Sequence, residues 1–359
     1  MRERGFSLVE LIVAMAITML IMGSVYGLLA GSQNAFRREP ELAERQQNIR
    51  MAMDIIMRDI ANAASGLPTF VQVFTPGLDA CALCPMGPDG VRTDEIEVLT
   101  NSESRDTEPI CRTIGNPLGN GANVRLVRNV TIPPNDLRPD TKVILFTANG
   151  QWTLRNLITA TANPAAAFDC TAAVAPGNHT FVSLLQAGDG SGLNTAAQAC
   201  EPNGWGNTTV PCELVGMSFA NIVRYRIRDD ITDPLRPVPM LERWSSDAPG
   251  SVVANNRVGF QVLARGIENL QIQYLRADGD PNDPLAWSDS APVVTPANYA
   301  TLTTQVRVIL AARSEAQNIA GGTTSATGGD RIRGTLISSA SPRATLMNMT
   351  LEGALPRWR

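Results

Sequence analysis

The 359-residue sequence holds 30 basic and 34 acidic side chains, a net charge of −4, and is 44% hydrophobic but 18% charged. That balance argues against a nucleic-acid binder working through bulk positive charge, and so much apolar material argues against a disordered chain. A single histidine, His179, and a single lysine, Lys142, leave little scope for histidine- or lysine-dependent catalysis.

The charges are unevenly spread. Leu11 to Phe36 is a run of 26 residues without one, and Leu11–Ala30 is apolar apart from Thr18, Ser24 and a few glycines. About 20 such residues, rising ~1.5 Å each, span the ~30 Å hydrocarbon core of a bilayer, so this segment reads as a transmembrane helix. A cleaved secretory signal would have a shorter apolar region followed by small residues at the cut. Here Ala14 and Ala16 could form such a site only inside the apolar run, and a cut after Ala30 would put Leu28 where a small residue is wanted.

The front edge of the segment is more informative. Arg2 and Arg4 precede Gly5, and Phe6-Ser7-Leu8-Val9-Glu10 leads into the apolar run. A short basic leader, a glycine, a phenylalanine and a glutamate within the apolar segment resemble the class III signal of type IV pilins and type II secretion pseudopilins. The resemblance covers about the first 30 residues. It implies that a prepilin peptidase cuts between Gly5 and Phe6, that Phe6 becomes the N-methylated first residue, and that Glu10 takes part in subunit assembly. The physics agrees, because a carboxylate in a membrane helix is costly and calls for a partner. The amine of a processed Phe6, on a neighbouring subunit or on the same chain, is one. The plainer alternative is that Glu10 snorkels to the interface. The resemblance, rather than the arginines flanking both ends of the span, places the bulk of the chain outside the cytoplasm.

Beyond the span the helix is expected to continue. Pro40 is expected to kink it or mark a short break. Leu42, Ile49, Met53, Ile56, Ile60 and Ala63 recur at helical spacing, which predicts one buried stripe, and Gly66 and Pro68 should end the helix. The rest alternates in strand fashion at Glu95–Leu99, Val124–Val130, Lys142–Thr147, Trp152–Ile158, Thr180–Leu185, Ile222–Arg228, Val258–Ala264, Leu270–Leu275, Gln305–Leu310 and Ile332–Ile337. Gly-, Pro-, Asn- and Asp-rich loops separate these runs. The expected fold class is α+β: residues 1–5 a leader, 6–30 a membrane and assembly helix, 31–66 its amphipathic continuation, and 67–359 a β-rich head with large loop insertions.

A second resemblance lies within the head. Gly266-Ile267-Glu268-Asn269-Leu270 leading to Tyr274, an acidic Asp278-Gly279-Asp280 loop, and Gln305-Val306-Arg307-Val308-Ile309-Leu310 resemble PilW-type minor pilins and the related J-type pseudopilins. The chain departs from that pattern where Tyr274 is followed by Leu275 and Arg276 rather than by glycine and aspartate.

No enzyme signature emerges. Lys142 sits in Pro-Asp-Thr-Lys-Val without a phosphate-binding glycine loop, and His179 lies in a turn with no nucleophile elbow to serve. Cys81-Ala82-Leu83-Cys84 could be redox, zinc or structural. With Cys111 and Cys170 isolated and Cys200 and Cys212 twelve apart, disulfides in an oxidising compartment are the most economical reading. Cys200–Cys212 is the favoured pair. Asp278, Asp280 and Asn282 are spaced like the start of a calcium loop, but the sixth-position glycine and twelfth-position glutamate are missing, so an acidic turn is preferred.

The expected protein is thus a non-enzymatic, cofactor-free minor pilin of a type IV pilus, acting in assembly or at the tip. Its partners would be prepilin peptidase, other major and minor pilins and the inner-membrane assembly platform, in a hetero-oligomer. It would be a single-pass inner-membrane protein with a periplasmic head before moving to the cell surface. A J-type pseudopilin of type II secretion, or an adhesin or receptor exported on a pilin signal, are the alternatives.

Overall fold

The computed structural model describes residues 7–68, 71–75, 84–88, 90–101, 108–114, 122–126, 142–147, 152–162, 180–185, 214–233, 237–248, 252–253, 256–293, 302–317 and 331–343. Its first element is a 54-residue helix, α1 (Leu8–Ala61), ~81 Å long at 1.5 Å per residue. The helix runs through Pro40 without the break considered above. Proline withholds one N–H from the ladder, and at this position its ring is exposed rather than wedged into a core. Regular helix stops earlier than Gly66. The Asn62 N–H closes back on the Arg58 and Ile60 carbonyls, Ala64 adopts a left-handed φ of 55°, and a turn leads on to Gly66.

The strands that follow are β1 (Ile96–Asn101), β2 (Glu108–Ile114), β3 (Ala122–Leu126), β4 (Lys142–Thr147), β5 (Trp152–Ala162), β6 (Thr180–Leu185), β7 (Leu214–Asp230), β8 (Val238–Ser245), β9 (Val252–Val253), β10 (Asn256–Arg257), β11 (Gln261–Arg265), β12 (Ile267–Arg276), β13 (Trp287–Ser288), β14 (Thr303–Arg313) and β15 (Arg333–Ala340). All their pairings are antiparallel, which with α1 makes the α+β fold expected from the sequence.

The 17-residue strand β7 organises the head. Its second half lies between β1 and β8, which both pair with Val223–Tyr225 and so occupy opposite edges; β11 extends this part of the sheet beyond β8. Its first half pairs with β4 and β2. From there the pairings β2–β3, β3–β6, β6–β5 and β5–β4 return to β7, closing a six-stranded ring. Closure leaves those strands without free edges. A separate four-stranded sheet runs β13-β12-β14-β15.

The helical stripe is buried as its spacing predicts. Ile56, Ile60 and Ala63 are fully inaccessible, and Ile49 and Met53 nearly so. They form one core with Ile96, Val98 and Tyr225 of the large sheet and with Leu270, Val306, Val308 and Leu310 of the four-stranded sheet. Just past α1, Ala64, Leu67 and Val71 join a second core with Ile144, Trp152 and Leu154 of the ring and with Trp244. The ring therefore abuts the end of α1 farthest from the apolar amino-terminal segment. Within it, Arg155 lies opposite Val143, which lies opposite Phe219, and all three are buried. Burial pushes the Arg155 guanidinium down to about 10.

Candidate assembly site

Two features of α1 make it a candidate site for assembly: how it starts, and what its first half leaves uncovered. Ser7 is the N-cap. The Val9 N–H donates to Ser7 Oγ at 3.3 Å, and the Ser7 N–H donates to Glu10 Oε2 at 3.0 Å, a reciprocal capping box. Glu10 thus caps the positive end of the helix dipole, beside the next backbone N–H after Phe6. Gly5 and Phe6 themselves lie outside the described residues.

From Leu8 to Leu29 the helix has a mean hydropathy of 2.3 over 22 residues, and none of it is buried by the rest of the chain. Leu8, Leu20, Tyr26 and Leu28 are each about three-quarters exposed. Two hydroxyls in this stretch bond back to their own helix: Thr18 Oγ1 donates to the Ala14 carbonyl at 2.7 Å, and Ser24 Oγ to the Ile21 carbonyl at 2.8 Å. A segment apolar on every side, with its hydrogen bonds closed internally, is long and apolar enough to cross a membrane.

The second half of α1 is tied to the head by polar contacts beside the buried stripe. Asp59 Oδ2 accepts from the Tyr225 hydroxyl and from Arg243, whose Nε and Nη2 lie at 3.1 and 3.0 Å. Burial first, and then Asp59, holds the Tyr225 phenol well above its ordinary value. Nearer the membrane segment, Glu41 accepts from the Ala316 N–H, and the Arg45 guanidinium lies where a side chain at Gly334 would be.

The Gly266-Ile267-Glu268 stretch acquires a physical role. Gly266 has φ +75°, and a Cβ there would sit 2.6 Å from the Arg313 carbonyl oxygen, so the close strand approach admits no side chain. The Gly266 N–H donates to Pro239, and its carbonyl accepts from Arg313. The buried Glu268 accepts from Arg333 Nε at 3.0 Å and faces Arg313 at 3.9 Å, a distance for charge attraction and not for a hydrogen bond. Burial outweighs these arginines and leaves its carboxyl above the usual carboxylate range. The cluster is a structural clasp joining β12, β14 and β15.

The other sequence-marked residues are placed as follows. Cys84 is buried and disulfide-bonded. Of Cys111 only the backbone, on β2, is described, while Cys81, Cys170, Cys200 and Cys212, and with them the favoured Cys200–Cys212 pair, lie outside the described residues. So does His179. Lys142 is buried on β4. In the acidic loop, Asp278 is held by Arg276 at 2.5 Å, and Asp280 accepts from the backbone and side-chain nitrogens of Asn282. Those carboxylates are engaged as an Asx-type turn and an ion pair. Among the described residues no group of three or more His, Cys, Asp or Glu side chains is placed to hold a metal.

Comparison with known proteins bears on the same end of the chain. The family described as the prokaryotic N-terminal methylation motif matches residues 1–26. No curated protein matches the sequence. Among solved structures, a type IV-like pilin from Thermus thermophilus is similar over 60% of this chain and 93% of its own, at 8% identity and a TM-score of 0.22. The chain therefore carries a prepilin-type methylation signal running into a helix of membrane-spanning length.

Proposed function

We propose that this chain is a minor pilin of a type IV pilus: cut after Gly5 by prepilin peptidase, methylated on Phe6, and held in the inner membrane by the first half of α1 with its head in the periplasm. There it joins other pilins on the assembly platform and moves with them to the cell surface, at the tip or in the initiating complex. Its work is structural and not catalytic. The observation that carries this reading is the methylation motif over residues 1–26 on a helix whose first 22 residues find no cover in their own chain. Side chains so disposed are stable only in lipid or against other helices, and Ala14, Gly23 and Gly27 allow neighbouring helices to approach closely.

Glu10 supplies the test. Its carboxylate already reaches the backbone next to Phe6, so a neighbour's methylated amine can exchange for that N–H as helices come into register. Glu10→Val should leave cleavage intact and abolish incorporation, read as processed protein that stays in the membrane fraction. Normal incorporation of that variant would contradict the register role.

A further inference from the structure

A strand at the edge of a sheet directs the N–H and C=O of alternate residues away from its neighbour, and natural proteins guard such edges with charges, prolines, bulges or covering segments. The head guards most of its own. The outer edge of β1 is covered by residues 73–75, through Phe74 opposite Val98 and the Leu99 N–H donating to Val73. The edge strand β11 is bulged between Val262 and Ala264 and ends in Arg265, paired to Asp230 and Glu315. The edge strand β13 is two residues long.

Among the described residues no bulge and no covering segment guards β15, and its one charge, Arg333, stands at its first residue and pairs inward with Glu268. The strand pairs with β14 along all eight residues without a bulge, and among the described residues Gly334–Ala340 hydrogen-bond only within that ladder. No charge and no proline interrupts Gly334–Ser341. α1 covers its inner face, where Arg45 rests on Gly334 and Leu336 and Ala340 pack on the helix core. Thr335, Ile337 and Ser339 point the other way and are exposed, Ile337 by 60%.

We propose that the β15 edge is an interaction surface that takes an extended segment of a different subunit as a fifth strand. This rests on the reading that the chain works in a multi-subunit assembly. An extended backbone is what a regular row of free donors and acceptors fits. Charge selects against a second copy. Arg331 precedes the strand, Arg333 is its first residue, and an exposed Arg343 follows it. Antiparallel self-pairing centred on Ile337 sets Arg343 against Arg331, and parallel in-register self-pairing sets Arg343 against Arg343. The partner strand is uncharged opposite Thr335–Ser339 and carries a carboxylate beside Arg343.

The test is hydrogen exchange on the full-length protein, in detergent alone and within the complex purified with it. Backbone amides of Thr335–Ala340 should exchange at least ~10-fold more slowly in the complex. Ile337→Lys should leave the head's thermal unfolding and the mature amino terminus unchanged while cutting recovery in the complex by ~10-fold, and Ile337→Thr should restore it. Unchanged exchange in the complex, or full recovery of Ile337→Lys, overturns the proposal. Protection that grows with concentration of the chain alone makes the occupant a second copy and overturns it too. A chain that enters no complex overturns the assembly reading itself, whereas one that enters with its edge unprotected overturns this proposal alone.

Discussion

One helix serves two different surroundings, and its halves are written accordingly. From Leu8 to Leu29 apolar side chains cover every side and none is buried by the chain; from Leu42 to Ala61 they are gathered into a stripe of which Ile56 and Ile60 are fully buried. The polar groups differ in the same way. Thr18 and Ser24 turn back to their own helix, while Asp59 reaches across to Tyr225 and Arg243. The lower half has the composition its external solvent demands, and the upper half has the periodicity its own head demands. A hydrophobic residue in α1 is therefore no guide to head stability until its half is known.

That contrast can be broken most sharply by truncation. Ile56→Ala should lower the head's stability by ~2–5 kcal/mol in chemical denaturation, because it opens a cavity in a core shared by both sheets. Ile21→Ala removes the same atoms in the lower half and should change head stability by less than about 0.5 kcal/mol. Equal losses would mean that the two halves are not distinct. Gly266→Ala should follow, at ~1–3 kcal/mol, since a left-handed φ and a 2.6 Å contact with the Arg313 carbonyl both resist a methyl group.

A smaller effect comes from the tie between helix and head. Tyr225 is held above its ordinary pKa of about 10 in the folded state, so the stability it confers is complete below pH ~10 and is lost as pH rises from there toward the folded value. Denaturation midpoints measured between pH 9 and 11 should fall. Tyr225→Phe should flatten that fall and lower stability at neutral pH by ~0.5–2 kcal/mol through the lost hydrogen bond to Asp59. A fall that persists unchanged in the variant would assign it to another group.

The legibility of the chain follows the range of the interactions. α1 and its buried stripe are local, and Leu42 through Ala63 announce them by spacing alone. Strands β4 and β6 coincide with their alternating runs because turn residues bound them closely. β2 and β8 escape notice because Pro109 and Pro239 demote them as strands, yet both prolines sit at second positions, where the sheet loses little. The first half of β7 is hidden for another reason: Leu214–Asn221 is nearly all buried, so it shows no alternation to read. Closure of the six-stranded ring is a non-local pairing that no short pattern encodes. At the assembly site, Glu10 is legible from its place in the signal, and its capping bond to Ser7 follows from the three-residue spacing. The Gly266-Ile267-Glu268 stretch is legible as a pattern, whereas the arginines facing Glu268 arrive from strands 45 and 65 residues later and cannot be paired in advance.

The central claim, that the lower half of α1 is a processed membrane and assembly segment, is most directly tested at the amino terminus. Intact-mass and terminal-fragment measurement of the full chain, produced alongside prepilin peptidase, should show loss of Met1–Gly5 and one added methyl group on Phe6. A mature chain beginning at any other residue, or retaining Met1 in the presence of active peptidase, would contradict it.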